Sequence, residues 1–370
     1  MSNFNTDKAT EYEKGKIIYS DGSVGELEYD SWFHHFRIDE REEDIVSIIF
    51  PSVPTIKSLG FTKCVNLESI VIPEGVKEIT GWAFAALQNL EEVTLPESLT
   101  FIDSLAFNCC TKLTKIVIPK NVTRLEDRTF MFCQSLSDVT LSEGLAYIGD
   151  GAFSECDKLT DITIPSTVTE IGGNPFSGCR NVKIHVSPEN KHFTVINNNL
   201  YSIDQKKIIS YVPKEGETDI AVPSSVTSIA NSAFSRYEEI TGISIPEGVK
   251  EIGEAAFLCC TSLANIALPN IPKINAYTFC KCEALASITV PPTVNEIGAS
   301  AFLGCKALES ITLPAGLTAI GDEAFNECES LKEVYFNGSK RKWEKISVGK
   351  KNDALKNAKI HFKTLFGYTK

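Results

Sequence analysis

Phenylalanine recurs every 23 residues along most of this 370-residue chain, at Phe61, Phe84, Phe107, Phe130, Phe153 and Phe176. A second block follows at Phe234, Phe257, Phe279, Phe302 and Phe325, with one interval of 22. Alanine precedes seven of the eleven, and cysteine stands three residues after nine of them, from Cys64 to Cys328. A fixed period of this length marks a repeat architecture, because one such unit cannot bury its apolar face alone and must stack on its neighbours. The period overrides the two or three domains that length alone suggests.

After each cysteine position comes L-x-x-I-x-L-P, as in Leu90, Val93, Leu95 and Pro96, or Leu308, Ile311, Leu313 and Pro314. Alternating β-branched and leucine residues, stopped by a proline that cannot donate to a ladder, predict one short strand per repeat. Strands so spaced pair parallel. A second apolar pair follows, V-x-x-I-G, in Val168, Ile171 and Gly172 or Val249, Ile252 and Gly253. Glycine, asparagine and aspartate end it often and tolerate positive φ, so the chain is expected to turn there, at Gly298 for example. The A-F-x-x-C segment is too brief for a full helix and predicts one helical or 3₁₀ turn that drives phenylalanine inward.

The cysteine column holds Leu87 and Tyr237 in two repeats. Packing permits that exchange, whereas metal ligation or disulfide pairing forbids it, so the column reads as buried free thiols. Cys109, Cys259 and Cys280 sit beside it, and Cys280-x-Cys282 alone is a weak metal signal.

The pattern A-F-x-x-C-x-x-L-x-x-I-x-L-P-x-x-V-x-x-I-G resembles the BspA-type leucine-rich repeat over about residues 45–337. Ser142 replaces the proline once, Ile271-Pro272-Lys273-Ile274 shortens one repeat by a residue, and the copy near Phe50 and Pro51 is degenerate. The resemblance implies an α/β-type repeat solenoid: a right-handed coil with one parallel sheet, one short strand per repeat, second short strands or turns on the other side, and little helix. It also implies bacterial surface proteins that adhere to host or matrix proteins or to other cells. Residues 1–44 are expected to form a tail and cap, with a hairpin around Asp21-Gly22-Ser23. Residues 338–370 are expected to form a basic cap with Trp343 over the last coil. In the 58-residue gap between Phe176 and Phe234, residues 188–222 read as an insertion. Its strands are Phe193–Ile196, Leu200–Ile203 and Ile208–Val212, projecting from the stack as hairpins while the solenoid continues through the insertion, and the alternative is a hinge or domain boundary there.

The formal charge of -12 argues against nucleic-acid binding, which rests on lysine and arginine meeting phosphate. Residues 332–370 hold 11 Lys+Arg and 3 Asp+Glu, or +8; the remaining 36 − 11 = 25 against 48 − 3 = 45 give -20. No apolar run of about 18 residues is present, so a membrane-spanning helix is excluded. Met1 to Lys16 lacks a basic stretch followed by an apolar one, and no secretory signal is expected within this chain.

Nucleophile elbows, phosphate loops and zinc motifs are absent, so no catalytic residue, cofactor or metal is expected. His34 and His35, beside Trp32 and Phe33, read as part of the N-terminal cap. His185 and His192 flank the insertion, and His361 lies near the C-terminus. What the repeat does specify is a regular exposed face, since strand residues alternate between core and outside. Its candidate partner-binding residues are Glu92, Thr94, Asp138, Thr140, Asp161, Thr163, Thr289, Ser310, Thr312 and Tyr335. A dozen coils about 4.8 Å apart would present a face long enough for a standard protein interface. The expected function is a non-enzymatic scaffold binding another protein, with a glycan as alternative ligand and the cell surface as site of action. Free cysteines favour an intracellular scaffold instead. An enzyme centred on the insertion or the caps is the third reading and requires a deep polar pocket.

Overall fold

The computed structural model describes residues 14–30, 35–38, 41–57, 61, 63–364 and 367–368. It comprises two compact units, Met1–Val168 and Thr169–Lys370, each a stack of coils in which short strands pair parallel. Trp32, Phe33, His34 and the side chain of His35 lie outside the described residues.

In the first unit the strands Ile45–Ile49, Ser69–Val71 and Glu92–Thr94 form one ladder, and Lys115–Ile118 pairs with Asp138–Leu141. Register joins equivalent residues, Ser69 to Glu92 and Val71 to Thr94. Two-residue strands such as Glu78–Ile79, Phe101–Ile102 and Arg124–Leu125 build the other side. In the second unit Asp219–Ala221, Gly242–Ser244 and Asn265–Ala267 form one ladder, while Ser287–Thr289, Ser310–Leu313, Glu333–Phe336 and Lys359–Thr364 form another.

The eleven repeat phenylalanines are all at most 1% exposed. Within each unit they stack ring on ring: Phe107 on Phe130 at 5.3 Å and 8°, Phe302 on Phe325 at 5.2 Å and 11°. Burying each ring is worth about 1.5–3 kcal/mol, with about 0.5–1.5 kcal/mol more for ring pairing.

The segment around nine of the rings, Phe84 to Phe153 and Phe234 to Phe325, is not helical. It is a series of tight turns with left-handed residues two before and two after phenylalanine, as at Leu105 (φ 62°) and Cys109 (φ 61°), or Ala255 (φ 54°) and Cys259 (φ 59°). A helix would spend its N–H groups inside itself. Alternating handedness instead aims them along the stack. Ala255, Phe257 and Cys259 donate to the carbonyls of Ala276, Thr278 and Cys280 in the next coil, at 2.9, 3.0 and 2.8 Å. Gly298, by contrast, is not in the left-handed region. A Cβ there would lie 2.5 Å from the Ala276 nitrogen, so close approach of coils, not positive φ, explains that glycine.

Seven of the nine column thiols donate to the phenylalanine carbonyl of the preceding coil, Cys133 to Phe107 at 3.2 Å and Cys305 to Phe279 at 3.1 Å among them. All twelve cysteines are unbridged, and ten are buried.

The ends are covered by different means. The hairpin Gly15–Tyr19 and Val24–Asp30 lays its first strand antiparallel on Ile45–Ile49. At the other end Trp343, in the short helix Lys340–Trp343, meets Phe336 edge-on at 5.3 Å. Strands Ser347–Val348 and Lys359–Thr364 then add one more coil to both ladders. Where that coil lacks a phenylalanine turn, Asn352 accepts the Phe325 N–H through its side chain at 2.9 Å.

The insertion does not project as free hairpins. Phe193–Ile196 and Asn199–Ser202 pair antiparallel, but Lys207–Ser210 joins Ser228–Ile229 in parallel, and Leu200, Tyr201, Ile208 and Ile209 are buried. These four side chains are too apolar to stand in water, and stacking covers them. The coil they complete has no phenylalanine turn. The Asn174 N–H donates directly to the Asn231 carbonyl at 2.9 Å, and the Tyr211 ring lies tilted by 33° against Phe234 at 5.0 Å.

Ala255→Gly, ordinarily a loss in regular structure, should stabilise by up to about 1 kcal/mol because φ is positive, whereas Ala255→Val should cost about 1–2 kcal/mol. Denaturant unfolding of the two variants decides the sign. Burial pushes the Cys260 and Cys328 thiols up to about 12. Unfolded thiols ionise near 8.5, so above that pH the unfolded state sheds protons that the fold retains, and stability falls as pH rises. Tm should drop between about pH 8.5 and 11, and less steeply in Cys260→Ala/Cys328→Ala. At pH 8 iodoacetamide should label Cys109 and Cys259 in the native chain and the buried ten only on unfolding.

Candidate functional site

Strand residues that point away from the phenylalanine core form two exposed rows on each unit. In the first unit Glu92, Thr94, Asp138, Thr140, Asp161 and Thr163 are all exposed. Lys115 lies between them and bridges Asp138 at 2.7 Å; both side chains are more than half exposed, so the pair adds little stability. A recess of about 400 Å³ opens beside Glu92, Thr94 and Lys115.

In the second unit, register places Thr289, Thr312, Tyr335 and His361 in one row and Ser287, Ser310, Glu333 and Lys359 in the other. Thr289 is exposed, and Ser310, Thr312 and Tyr335 are half-buried. The row thus brings three of its predicted residues together with His361, whose role sequence reasoning missed. His361 stacks on Tyr335 at 4.9 Å and makes a short hydrogen bond to Glu333. Only the parallel register, carried one coil beyond the recognisable repeats, reveals that neighbourhood.

A wider groove, of about 970 Å³, runs across the strands Asp219–Ala221, Gly242–Ser244, Asn265–Ala267 and Ser287–Thr289. Its floor is small: Ala221, Gly242, Ser244, Ala267. The groove crosses a break, because Asn265–Ala267 and Ser287–Thr289 belong to separate sheets. The repeat between these two strands is the one of 22 residues. The phenylalanine turn holds these coils together through the three N–H bonds already described. Asp219 sits within the insertion, yet Asp219-Ile-Ala-Val-Pro223 matches the strand pattern and was the available signal.

Among the described residues no group of three or more His, Cys, Asp or Glu is arranged to hold a metal ion, and no helix is long and apolar enough to cross a membrane. Cys280 and Cys282 are both buried, and burial raises both thiols, Cys280 to about 11.

The model of the BspA type leucine rich repeat region matches residues 54–183, 214–332 and 262–361, in six copies. The chain belongs to the BspA-type leucine-rich repeat family. This BspA-type chain is similar to a leucine-rich cell surface protein from Faecalibacterium prausnitzii A2-165, at 28% identity over 94% of this chain and 98% of that one, with a TM-score of 0.69. It shares its fold with the pneumococcal vaccine antigen PcpA (20% identity, 94% of each chain, TM-score 0.65). The same holds for a leucine-rich repeat protein from Eubacterium ventriosum ATCC 27560 (18% identity, 97% and 98% covered, TM-score 0.59). No curated protein matches the chain. As in other repeat solenoids, the BspA-type coils form a scaffold whose surface, not a built-in pocket, is available for binding.

Because Thr94 and Thr289 point outward, Thr94→Lys and Thr289→Lys should each unfold within about 0.5 kcal/mol of the parent chain. A larger loss in denaturant titration would show that these rows serve stability.

Proposed function

We propose that the chain is a non-enzymatic scaffold that binds another protein through its sheet face, and that it acts in adhesion at the bacterial cell surface. The observation that carries this reading is the exposed double row of short polar side chains, held in register by parallel pairing and widened in the second unit into the groove over Gly242. Such a face lets a partner approach the backbone closely. The description of the Faecalibacterium relative as a cell surface protein supports the location. Free thiols favour an intracellular scaffold, but ten of the twelve are buried, which protects them from an oxidising exterior.

The test is surface plasmon resonance of the immobilised chain against purified matrix proteins and bacterial surface proteins, each with and without its glycans. Thr94→Lys/Thr140→Lys/Thr163→Lys and Thr289→Lys/Thr312→Lys should weaken a protein ligand at least tenfold while the fold persists. Binding that survives both sets unchanged rules out the sheet face, and binding lost on deglycosylation reassigns the ligand to glycan.

A further inference from the structure

Charge in the second unit is segregated, and its two parts are complementary. From Lys332 to Lys363 stand ten lysines and arginines, all exposed. Lys351 pairs with Glu323 and Lys356 with Asp353. Lys340, Arg341, Lys342 and Lys345, by contrast, have no carboxylate within ion-pair distance among the described residues. They are held in place, since three of them form the helical turn that Trp343 anchors on Phe336. The groove shows the opposite pattern. Asp219 and Glu247 are its only charged lining residues, and neither is ion-paired among the described residues. Gly242 keeps the groove open, because a Cβ there would meet the Asp219 Oδ1 at 2.6 Å.

We propose that the groove receives the Lys340–Lys345 segment of a second copy of this chain. This goes beyond the scaffold reading by naming a partner, while resting on the same face. Four fixed cations without acids and two groove acids without cations are both carried by one sequence, so a second copy supplies the match without any other molecule. At physiological ionic strength, screening over about 8 Å mutes the repulsion between two chains of charge -12 and leaves contacts at the patch intact. The contact is heterologous, groove to terminal coil, and so builds open chains of copies where a two-fold dimer would close.

Sedimentation velocity of the full chain tests this. The weight-average sedimentation coefficient should rise with concentration near 50 mM salt, and the association should weaken at least tenfold near 500 mM. Lys340→Glu/Arg341→Glu/Lys342→Glu should abolish association, as should Asp219→Lys/Glu247→Lys, with circular dichroism confirming that each variant is folded. An equimolar mixture of the two variants should associate again, because the reversed segment of one fits the reversed groove of the other. A chain monomeric at every concentration, association indifferent to either variant, or a mixture that stays apart each overturns the proposal. So does a monomer whose lysine run instead binds vesicles containing phosphatidylglycerol. If self-association is absent while the threonine-to-lysine variants still lose a protein ligand, self-docking falls and the scaffold reading stands.

Discussion

From Phe84 to Phe130 and from Phe234 to Phe302 the amide of the repeat phenylalanine donates to the next coil and not back into its own turn, and three such bonds per turn hold neighbouring coils at a fixed offset. Phe257 to Thr278 and Phe279 to Ala301 are typical, at 3.0 and 2.8 Å. That direction requires left-handed residues on both sides of the ring, at a cost on the order of 1 kcal/mol for each side chain that is not glycine. Burial and pairing of each ring, together about 2–4.5 kcal/mol, are of the same size as that cost and offset it. The importance of this wall shows at the 22-residue repeat. There both strand ladders lapse, yet Phe257 still stacks on Phe279 at 5.4 Å. The sheet face opens into a groove at the place where the turn wall persists and the ladders do not.

Cysteine fits its column for two reasons at once. It is small enough to sit under the ring, and its S–H reaches a carbonyl that would otherwise accept a single bond from its own turn. Tyr237 shows the consequence of departing from this, because its hydroxyl is buried with no partner. Asparagine plays the corresponding part where the repeat fails. Asn174 and Asn352 present an amide that imitates a peptide group, which closes hydrogen bonds that a missing phenylalanine turn leaves open.

Much of this was legible in the sequence. The phenylalanine and cysteine columns, the strand ending in proline and the outward threonines are all periodic, and period translates directly into which side faces the core. What could not be read was set by direction and register. Nothing in A-F-x-x-C distinguishes a helical turn from one whose N–H groups run along the stack, because alanine, arginine and glutamate together occupy the left-handed positions more often than glycine does. The missing residue near Pro272 was visible as a deletion but not as a groove, since its effect depends on ladders in two neighbouring coils. The insertion looked like projecting hairpins because strand patterns do not say what covers them; four buried apolar side chains on Leu200 to Ile209 decided that. Of the candidate site, Thr289, Thr312 and Tyr335 fell in one row as their spacing implied. His361 joined them only through a coil that no longer spells the repeat.

The one-way donation along the phenylalanine turns gives that wall of each unit a polarity. On that wall three rows of peptide groups point their hydrogens toward the C-terminal coil and their oxygens toward the other end, as the peptide dipoles of a helix do. In the second unit the rows end at Glu323 and Phe325, which donate to Lys350 and Asn352. Their positive pole therefore lies in the same coil that carries the exposed lysines. On its other sides the last coil donates backward, from Ser347 to Thr318 and Lys359 to Lys332, so the polarity belongs to the turn wall alone and brings its positive end beside the lysines.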